Sequence, residues 1–370
     1  MFYFVLVFFV ILSILVLVHE LGHFLVARRA GIWVEEFGFG LPPRVFGKKI
    51  GETIYSVNLL PFGGFVRLHG ENSEDLIKKP EKAFINKSPL IKAGIVVAGV
   101  IMNFLLGIFA FAIVYSVTGI PREAGFVKIE EIKSGSPAEA AGILPGDIVR
   151  QVDEIKIGSN SDFIANVDAK RGSEVNLLIE RSGDEELSIK VSPRKDPPEG
   201  EGALGVLISD SEIYYPPIWQ RPFVGVYYGF KEAIFWGGAV ILGMFNIFLN
   251  LFGGVFPKDV AGPVGLFVVT REIAKVGIIP LINWVGIISV NLAILNILPI
   301  PALDGGRLLF IGIEKLFGRR ILPKLESWLH VVGLGLLVLF LIAVTFREVA
   351  LIRNLGIEGY LDFLSQQTPQ

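Results

Sequence analysis

Long apolar runs separated by charged segments dominate the sequence. The first run carries no charge from Met1 to Val18, continues to about Ala27 and is closed by Arg28 and Arg29. Four further apolar runs cover 93–120, 223–256, 276–303 and 329–346. A helix rises about 1.5 Å per residue, so these lengths allow each run to cross a hydrocarbon core of about 30 Å. The pattern predicts a polytopic α-helical membrane protein.

The distribution of basic residues predicts which side of the membrane each loop occupies. The first run lacks the positive n-region and short apolar core of a signal peptide, so we expect a transmembrane helix. Lysines and arginines are frequent in the segment 32–92, which the positive-inside rule therefore places in the cytoplasm. The N-terminus and the segment that follows the second run are then expected outside.

The first apolar run contains the motif His19-Glu20-Leu21-Gly22-His23. Histidines four residues apart lie on one face of a helix, so both imidazoles can bind one metal ion. Catalytic zinc takes three protein ligands and keeps one position for water, and Glu20 is placed to accept a proton from that water. A five-residue pattern can occur by chance, but a charged residue in a membrane helix costs at least about 2.5 kcal/mol, which favours a functional role.

The third zinc ligand must come from elsewhere in the chain. Arg29 stands where extended zincins have a third histidine, His69 lies in the basic loop, and His330 opens the last apolar run, where a structural boundary role is expected. Asp304 is the better candidate, because it follows a long uncharged run interrupted by prolines. The alternative is that Asp304 only caps a helix beginning at Gly305.

The depth of Asp304 bears on the number of membrane crossings. His19 and His23 lie toward the cytoplasmic end of the first helix, and Asp304 stands at the C-terminal end of its own run. These residues share a depth only if the run 276–303 enters from outside, which requires that the run 223–256 does not cross. Lys231 and Glu232 in that run favour an interfacial or re-entrant helix. We therefore predict four spans.

The segment between the second and third runs resembles a PDZ domain of the permuted form found in bacterial periplasmic proteases. The likeness covers roughly residues 122–193 and rests on a strand, a turn, a short helix stopped by Gly142 and a second strand after Pro145-Gly146-Asp147. Asp153-Glu154 replaces the usual Asn-Gly or Asp-Gly turn. The resemblance implies a β-rich extracytoplasmic module that can take peptide C-termini.

Two motifs at opposite ends of the chain together resemble the bacterial site-2 protease family of intramembrane metalloproteases, of the regulator-of-sigma-E type. The second motif runs from Asn296-Ile-Leu-Pro to Asp304-Gly-Gly, in the third predicted span. The resemblance implies Zn²⁺ bound by His19, His23 and Asp304, Glu20 as general base, and Asn296 as a residue that engages the substrate backbone.

A glycine-rich stretch of the cytoplasmic loop extends this resemblance. Gly63-Gly64-Phe65, with Gly38 and Gly40, resembles the family's cytoplasmic-side β-hairpin loop, whose edge strand is expected to pair with an unwound substrate. For Gly38 and Gly40 a role in turns alone is an equal alternative. The implied substrates are transmembrane segments of single-span proteins, such as anti-sigma factors or remnant signal peptides, in the bacterial inner membrane.

The predicted fold is a polytopic α-helical membrane protein of about four transmembrane helices, with a β-rich PDZ insert and a cytoplasmic-side β-hairpin loop. The predicted divisions are helix 1 (1–30), cytoplasmic loop (31–92), helix 2 (93–120), PDZ domain (121–195), linker (196–222), interfacial or re-entrant region (223–275), helix 3 (276–306), cytoplasmic loop (307–328), helix 4 (329–346) and C-terminal tail (347–370).

Composition and the site residues argue against several other functions. A net charge of −2 with dispersed basic residues gives no reason to expect nucleic-acid binding, and the absence of cysteine leaves histidine and carboxylates as metal ligands. A membrane scaffold with a vestigial metal site is opposed by the intact Glu20. A metal transporter would need a second cluster of ligands along the spans, and the sequence offers none.

Overall fold

The computed structural model describes residues 1–71, 76–181, 185–198, 200–253, 261–318 and 323–365. The helices are α1 (Phe2–Arg29), α2 (Pro89–Thr118), α3 (Pro137–Ala140), α4 (Asn160–Asp168), α5 (Arg221–Phe252), α6 (Pro263–Val276), α7 (Ile278–Ile297), α8 (Asp304–Phe317) and α9 (Pro323–Ser365). The strands are β1 (Val34–Ile50), β2 (Thr53–Leu68), β3 (Ile120–Ile132), β4 (Ile148–Val152), β5 (Ile155–Lys156), β6 (Val175–Arg181), β7 (Glu185–Val191) and β8 (Val206–Tyr214). The chain forms two compact units, one of Met1–Val117 with Trp219–Gln370 and one of Thr118–Ile218.

The first unit contains the long apolar helices. Five described helices are long and apolar enough to cross a membrane: Phe2–Arg29, Pro89–Thr118, Arg221–Ile247, Ile278–Ile297 and Trp328–Leu364. This set is compatible with the predicted polytopic helical membrane protein. The stretch Arg221–Ile247 of α5 is the least apolar of the five. The number of spans depends on whether this stretch crosses the membrane, so the count of four stays a prediction.

Glycines on α5 allow it to pack closely on two other helices of the first unit. A Cβ at Gly225 or Gly229 would meet the backbone of Ala112 in α2 within 2.5–2.8 Å, so α5 and α2 touch backbone to backbone. Further along α5, Gly237 faces Val290 and Ile294 of α7. Such small residues are typical of close contacts between apolar helices.

A buried carboxylate holds the start of α6. Glu348 of α9 is 2% exposed and accepts hydrogen bonds from the backbone N–H groups of Gly262 (2.7 Å) and Gly265 (3.1 Å) and from the hydroxyl of Tyr360 (2.8 Å). A Cβ at either glycine would clash with this carboxylate. A remote acidic side chain therefore satisfies the free N–H groups at this helix N-terminus.

The strands β1 and β2 double back to make a four-segment sheet. Gly38 pairs with Phe65 on one side and with Ser56 on the other, while 44–50 pairs with 53–58. The order across the sheet is therefore 64–68, 34–39, 53–57 and 44–50. Gly40 has φ +77°, and a Cβ there would lie 2.4 Å from the carbonyl oxygen of Leu60, so the reversal of β1 requires glycine. The edges of the sheet are 64–68 and 44–50.

The second unit is β-rich. Its sheet has the order β7-β6-β4-β3-β8, with β5 paired to β4, and its core contains Val127, Ile129, Val149, Leu177 and Ile179. The serine hydroxyls of Ser136 and Ser159 cap α3 and α4. The strand β8 lies in the segment 196–222, which the sequence predicts as a linker, and pairs with β3. A β-rich insert is therefore present, and its assignment as a PDZ domain stays a prediction.

Two aspartates fix turns in the second unit. Asp153 adopts φ +53° in the two-residue turn between β4 and β5, where hydrogen bonds from Lys170 and the N–H of Asn176 lower the pKa of its carboxyl. Burial alone would raise the pKa of Asp147, but the bidentate pair with Arg181 (2.7–2.8 Å) outweighs burial and lowers it. The unusual Asp153-Glu154 turn thus has its own polar support.

Candidate metal centre

Three side-chain donor atoms converge in the first unit. Nε2 of His19 and Nε2 of His23 lie 2.9 Å and 3.2 Å from Oδ2 of Asp304, and the two nitrogens lie 3.2 Å apart. Both histidines are buried, at 7% and 9% exposure. Among the described residues, these three form the one group of histidines and carboxylates close enough to hold a metal ion.

The donor set fits zinc. Tetrahedral Zn²⁺ with bonds of about 2.0–2.1 Å separates its ligand atoms by about 3.3 Å, close to the three distances observed. Oδ2 of Asp304 is buried and, although it touches both imidazoles, makes no hydrogen bond to any described residue. Two imidazole nitrogens and a carboxylate oxygen facing one another leave three lone pairs for one cation, and three protein ligands leave a fourth position open.

Backbone and side-chain contacts orient the two imidazoles. Nδ1 of His23 lies 2.8 Å from the carbonyl oxygen of Ile95, so Nδ1 carries the proton and donates it, and Nε2 keeps its lone pair for a metal. Nδ1 of His19 lies 3.3 Å from the amide of Asn103. Both partners belong to α2, which therefore supports the two histidines of α1.

Glycines bring α1 and α2 together at this point. A Cβ on Gly22 would lie 2.3 Å from the carbonyl oxygen of Ala98, and a Cβ on Gly99 would lie 2.5 Å from Nε2 of His23 and 2.7 Å from Cε1 of His19. Distances below 3.0 Å are forbidden for real Cβ atoms. The two helices can therefore meet at the metal centre only with glycine at both positions.

A tight turn delivers Asp304 to the histidines. The helix α7 ends at Ile297, Leu298 is extended, and Asp304 is the first residue of α8. Ala302 has φ +81°, and its N–H donates a hydrogen bond to Nδ1 of His330 (2.9 Å). His330 thus supports the turn before Asp304. The N-cap of α8 is Leu303, and the carboxylate of Asp304 points to the imidazoles.

A cavity of about 370 Å³ opens beside the metal centre. Glu20, His23 and Asp304 line one part of it, and residues 65–68, the edge of the four-segment sheet, line another. Arg307 and Glu71, which form an ion pair, complete its polar wall. The cavity therefore joins two of the three converging donor residues, the carboxylate of Glu20 and a strand edge.

Four of the eight predicted site residues line this cavity. Phe65 lines it, and a Cβ on Gly64 would lie 3.8 Å from Cγ of Glu20. Gly63, with φ +80°, forms the bend before that edge strand. Asn296 lies in the last turn of α7 and is not among the described residues that line the cavity. The substrate-binding role of these four residues stays a prediction.

Sequence reasoning missed the supporting residues on α2. Gly99 and Asn103 are separated by one helical turn and face the histidines, and Asn103 is fully buried. The available signal was a polar amide in the middle of an apolar run, which in a membrane helix points to an internal partner. The hydrogen bond from His23 to Ile95 uses a backbone carbonyl and left no signal in the sequence.

Comparison with known proteins identifies the family of this chain. Residues 7–340 match Peptidase family M50. The chain belongs to this family, the site-2 proteases, and it is a zinc metalloendopeptidase.

Relatives are similar over nearly their whole length. The chain is 29% identical to the zinc metalloprotease RasP of Oceanobacillus iheyensis over 93% of this chain and 98% of that protein. It is 30% identical to RasP of Geobacillus kaustophilus (92% and 96%) and 28% identical to the regulator of sigma-W protease RasP of Bacillus subtilis (93% and 98%). A PDZ domain of an SdrC-like protein from Listeria innocua shares 23% identity over 24% of the chain with a TM-score of 0.21, too low to test the PDZ assignment.

The close contact of Gly99 with both imidazoles gives a testable prediction. Gly99→Ala adds a methyl group within 2.5–2.7 Å of His19 and His23, so the imidazoles must move and zinc affinity should fall about tenfold or more. Gly94→Ala, on the same helix with no atom within 4 Å of its Cβ, is the matched control and should keep wild-type affinity. Zinc competition with a chelator measures both. Equal affinities in the two variants would contradict the close packing.

Proposed function

We propose that this chain is an intramembrane zinc endopeptidase that hydrolyses peptide bonds in the transmembrane segments of single-span proteins. In this proposal His19, His23 and Asp304 bind zinc and Glu20 is the general base. The observation that carries it is the convergence of the three donor atoms, two of them in an apolar helix, beside a cavity that Glu20 lines.

The chain's own residues supply positioning and proton transfer. Bound zinc would lower the pKa of a water toward about 7 and polarise the scissile carbonyl. Glu20, one residue after the first ligand and on the cavity wall, accepts a proton from the attacking water and passes it to the leaving amine. His23, held by Ile95, keeps its lone pair on the metal side.

The sheet edge beside the cavity is proposed to hold the substrate. A helix hides its amides in internal hydrogen bonds, so it must be unwound before hydrolysis, and an edge strand can pair with the extended chain. Residues 65–68 form such an edge and line the cavity with Glu20 and Asp304. Gly64 lets this strand lie close to α1, since a Cβ there would lie 3.2 Å from Cδ2 of Leu17, and Gly63 forms the bend before the strand. Asn296 is proposed to engage the substrate backbone.

The family supports a proposal for the substrates, partners and location. The Bacillus subtilis relative is named a regulator of sigma-W protease. We therefore propose anti-sigma factors as substrates, with remnant signal peptides as a further class, and the bacterial inner membrane as the location. The second unit would be an extracytoplasmic PDZ domain that filters substrates or binds peptide C-termini. The described residues contain no second ligand cluster of the kind that a metal transporter needs.

Four membrane crossings are part of the proposal, and α6 supports them. Asp304 meets His19 and His23, so α7 must enter from the same side as α1. If α5 also crossed, the chain would have to return between residues 253 and 278. The one helix described there, α6, has 14 residues and a length of about 21 Å, which is too short to span about 30 Å.

This topology predicts the side on which Gly253 lies. A cysteine at Gly253 should react with a membrane-impermeant maleimide added outside intact cells, because α5 then begins and ends outside. Cysteine at Lys190 in the second unit is the outside control, and cysteine at Lys48 is the cytoplasmic control. Since the chain has no native cysteine, the background is zero. Labelling of Gly253 only after the cells are opened would establish a crossing by α5.

The catalytic assignment separates zinc binding from proton transfer. Glu20→Gln should retain stoichiometric zinc but lose cleavage of a model transmembrane substrate by about 10²–10⁴-fold, because the general base is gone. Asp304→Ala should lose both zinc and cleavage. Zinc analysis of the purified protein and a cleavage assay measure the two effects. Cleavage by Glu20→Gln, or full zinc in Asp304→Ala, would refute the corresponding role.

The substrate-binding edge predicts a specific crosslink. Arg67 lies on the cavity edge and its side chain is 57% exposed, whereas Lys48 lies in the opposite edge segment. In a Glu20→Gln background, cysteine at Arg67 should form a disulfide with single cysteines placed along the substrate's transmembrane segment. Cysteine at Lys48 should not. Equal crosslinking at the two edges would rule out the proposed binding edge.

A further inference from the structure

Asn103 is a fully buried amide with an unusual set of contacts. It lies on α2, its backbone carbonyl accepts a hydrogen bond from the hydroxyl of Ser289 (2.7 Å), and its Nδ2 lies 3.3 Å from Nδ1 of His19. Oδ1, at the other side of the same amide, is buried with no hydrogen-bond partner among the described residues. A buried polar atom left without a partner is destabilising, so this amide needs a functional explanation.

Metal binding fixes which nitrogen of His19 carries the proton. Nε2 of His19 faces Nε2 of His23 and Oδ2 of Asp304, so it must offer its lone pair to the metal. Nδ1 then carries the proton and needs an acceptor. An amide NH₂ group cannot serve, because two N–H groups would face each other.

Rotation of the amide resolves this conflict. The two ends of an asparagine amide have nearly the same shape, so a half-turn puts Oδ1 where Nδ2 lies, 3.3 Å from Nδ1, without moving α2. The oxygen then accepts the proton of Nδ1. A metal-binding histidine whose second nitrogen donates to a fixed oxygen is held in one tautomer and one orientation.

We propose that Asn103 is a positioning residue that holds His19 in its metal-binding tautomer, with the amide oxygen as the acceptor for Nδ1–H. His23 has the corresponding acceptor in the carbonyl oxygen of Ile95, so α2 supplies one acceptor to each histidine. Gly99, one turn before Asn103, allows the close approach that this contact needs. The inference rests on His19 being a ligand, as in the proposed function.

Variants of the full-length protein in detergent test this role through zinc affinity, measured by chelator competition, and through the visible spectrum of the Co²⁺-substituted protein. Asn103→Leu keeps the size but removes the acceptor, so affinity should fall about 10–100-fold and the Co²⁺ spectrum should change. Asn103→Asp keeps an acceptor and, when ionised, cannot donate. It should bind zinc within a few-fold of wild type and retain the spectrum.

Matched controls separate the hydrogen bond from packing and charge. Asn291 on α7 is a partly buried amide whose Oδ1, like that of the fully buried Asn103, has no hydrogen-bond partner among the described residues. Asn291→Leu and Asn291→Asp make the same changes at an amide that forms no hydrogen bond to His19 among the described residues, and both should keep wild-type zinc affinity. A comparable loss in Asn291→Leu would show that any such substitution in the membrane helices suffices, and would overturn the proposal.

The remaining outcomes distinguish this inference from the function on which it rests. Wild-type affinity in Asn103→Leu, or an equal loss in Asn103→Leu and Asn103→Asp, would overturn the acceptor role of Asn103. His19→Ala serves as the reference and should lose zinc. If His19→Ala instead retains stoichiometric zinc, the proposed ligand set is wrong, and the role of Asn103 falls with it.

Discussion

The convergence of two imidazoles and one carboxylate on a single point is the constraint on which the first unit depends. Each group is costly to place in an apolar helix bundle, and each becomes favourable only if the other two reach the same cation. His19 and His23 come from one helix, and Asp304 comes from a turn 281 residues beyond His23. The packing of α1, α2, α7 and α8 must therefore be accurate to a few tenths of an ångström at this point.

Close backbone contact is the means by which the bundle reaches that accuracy. Gly22 and Gly99 let α1 and α2 meet, and the acceptor of His23 is a backbone carbonyl, which cannot rotate away as a side chain can. On the other side, the N–H of Ala302 is tied to His330, which fixes the turn before Asp304. Small residues and backbone groups thus position the side chains that are expected to bind zinc.

The sequence predicted those parts of the site that reside in local patterns. The spacing of His19 and His23 follows from helix geometry, and Asp304 stood out as an acid beside an uncharged run. The sequence does not predict the roles of Asn103 and His330, because each contacts a residue far away along the chain. Asn103 lies 84 positions from His19, and His330 lies 28 positions from Ala302. Contacts at such separations leave no periodic pattern. The same holds for β8: its partner β3 precedes it by most of the second unit, so local sequence patterns predict a linker there.

The doubled-back sheet was only partly predictable for a similar reason. Glycines around Gly38 and Gly63 indicated a hairpin, but the pairing of one segment with two others depends on the reversal at Gly40. The count of transmembrane helices depends on α5, whose length allows a crossing while its charges and the shortness of α6 oppose one. Hydropathy alone does not distinguish four spans from five, because it reports the cost of burying a segment and not the path of the chain.

The lining of the cavity has a consequence for substrate choice. Residues 65–68 present a strand edge beside Glu20 and Asp304, and such an edge pairs only with a chain whose own backbone amides are free. Under the proposed function, selection would therefore act on the ease of local unwinding. Segments with glycine, proline or asparagine near the cut would be favoured over uniformly helical ones, whatever side chains flank the bond.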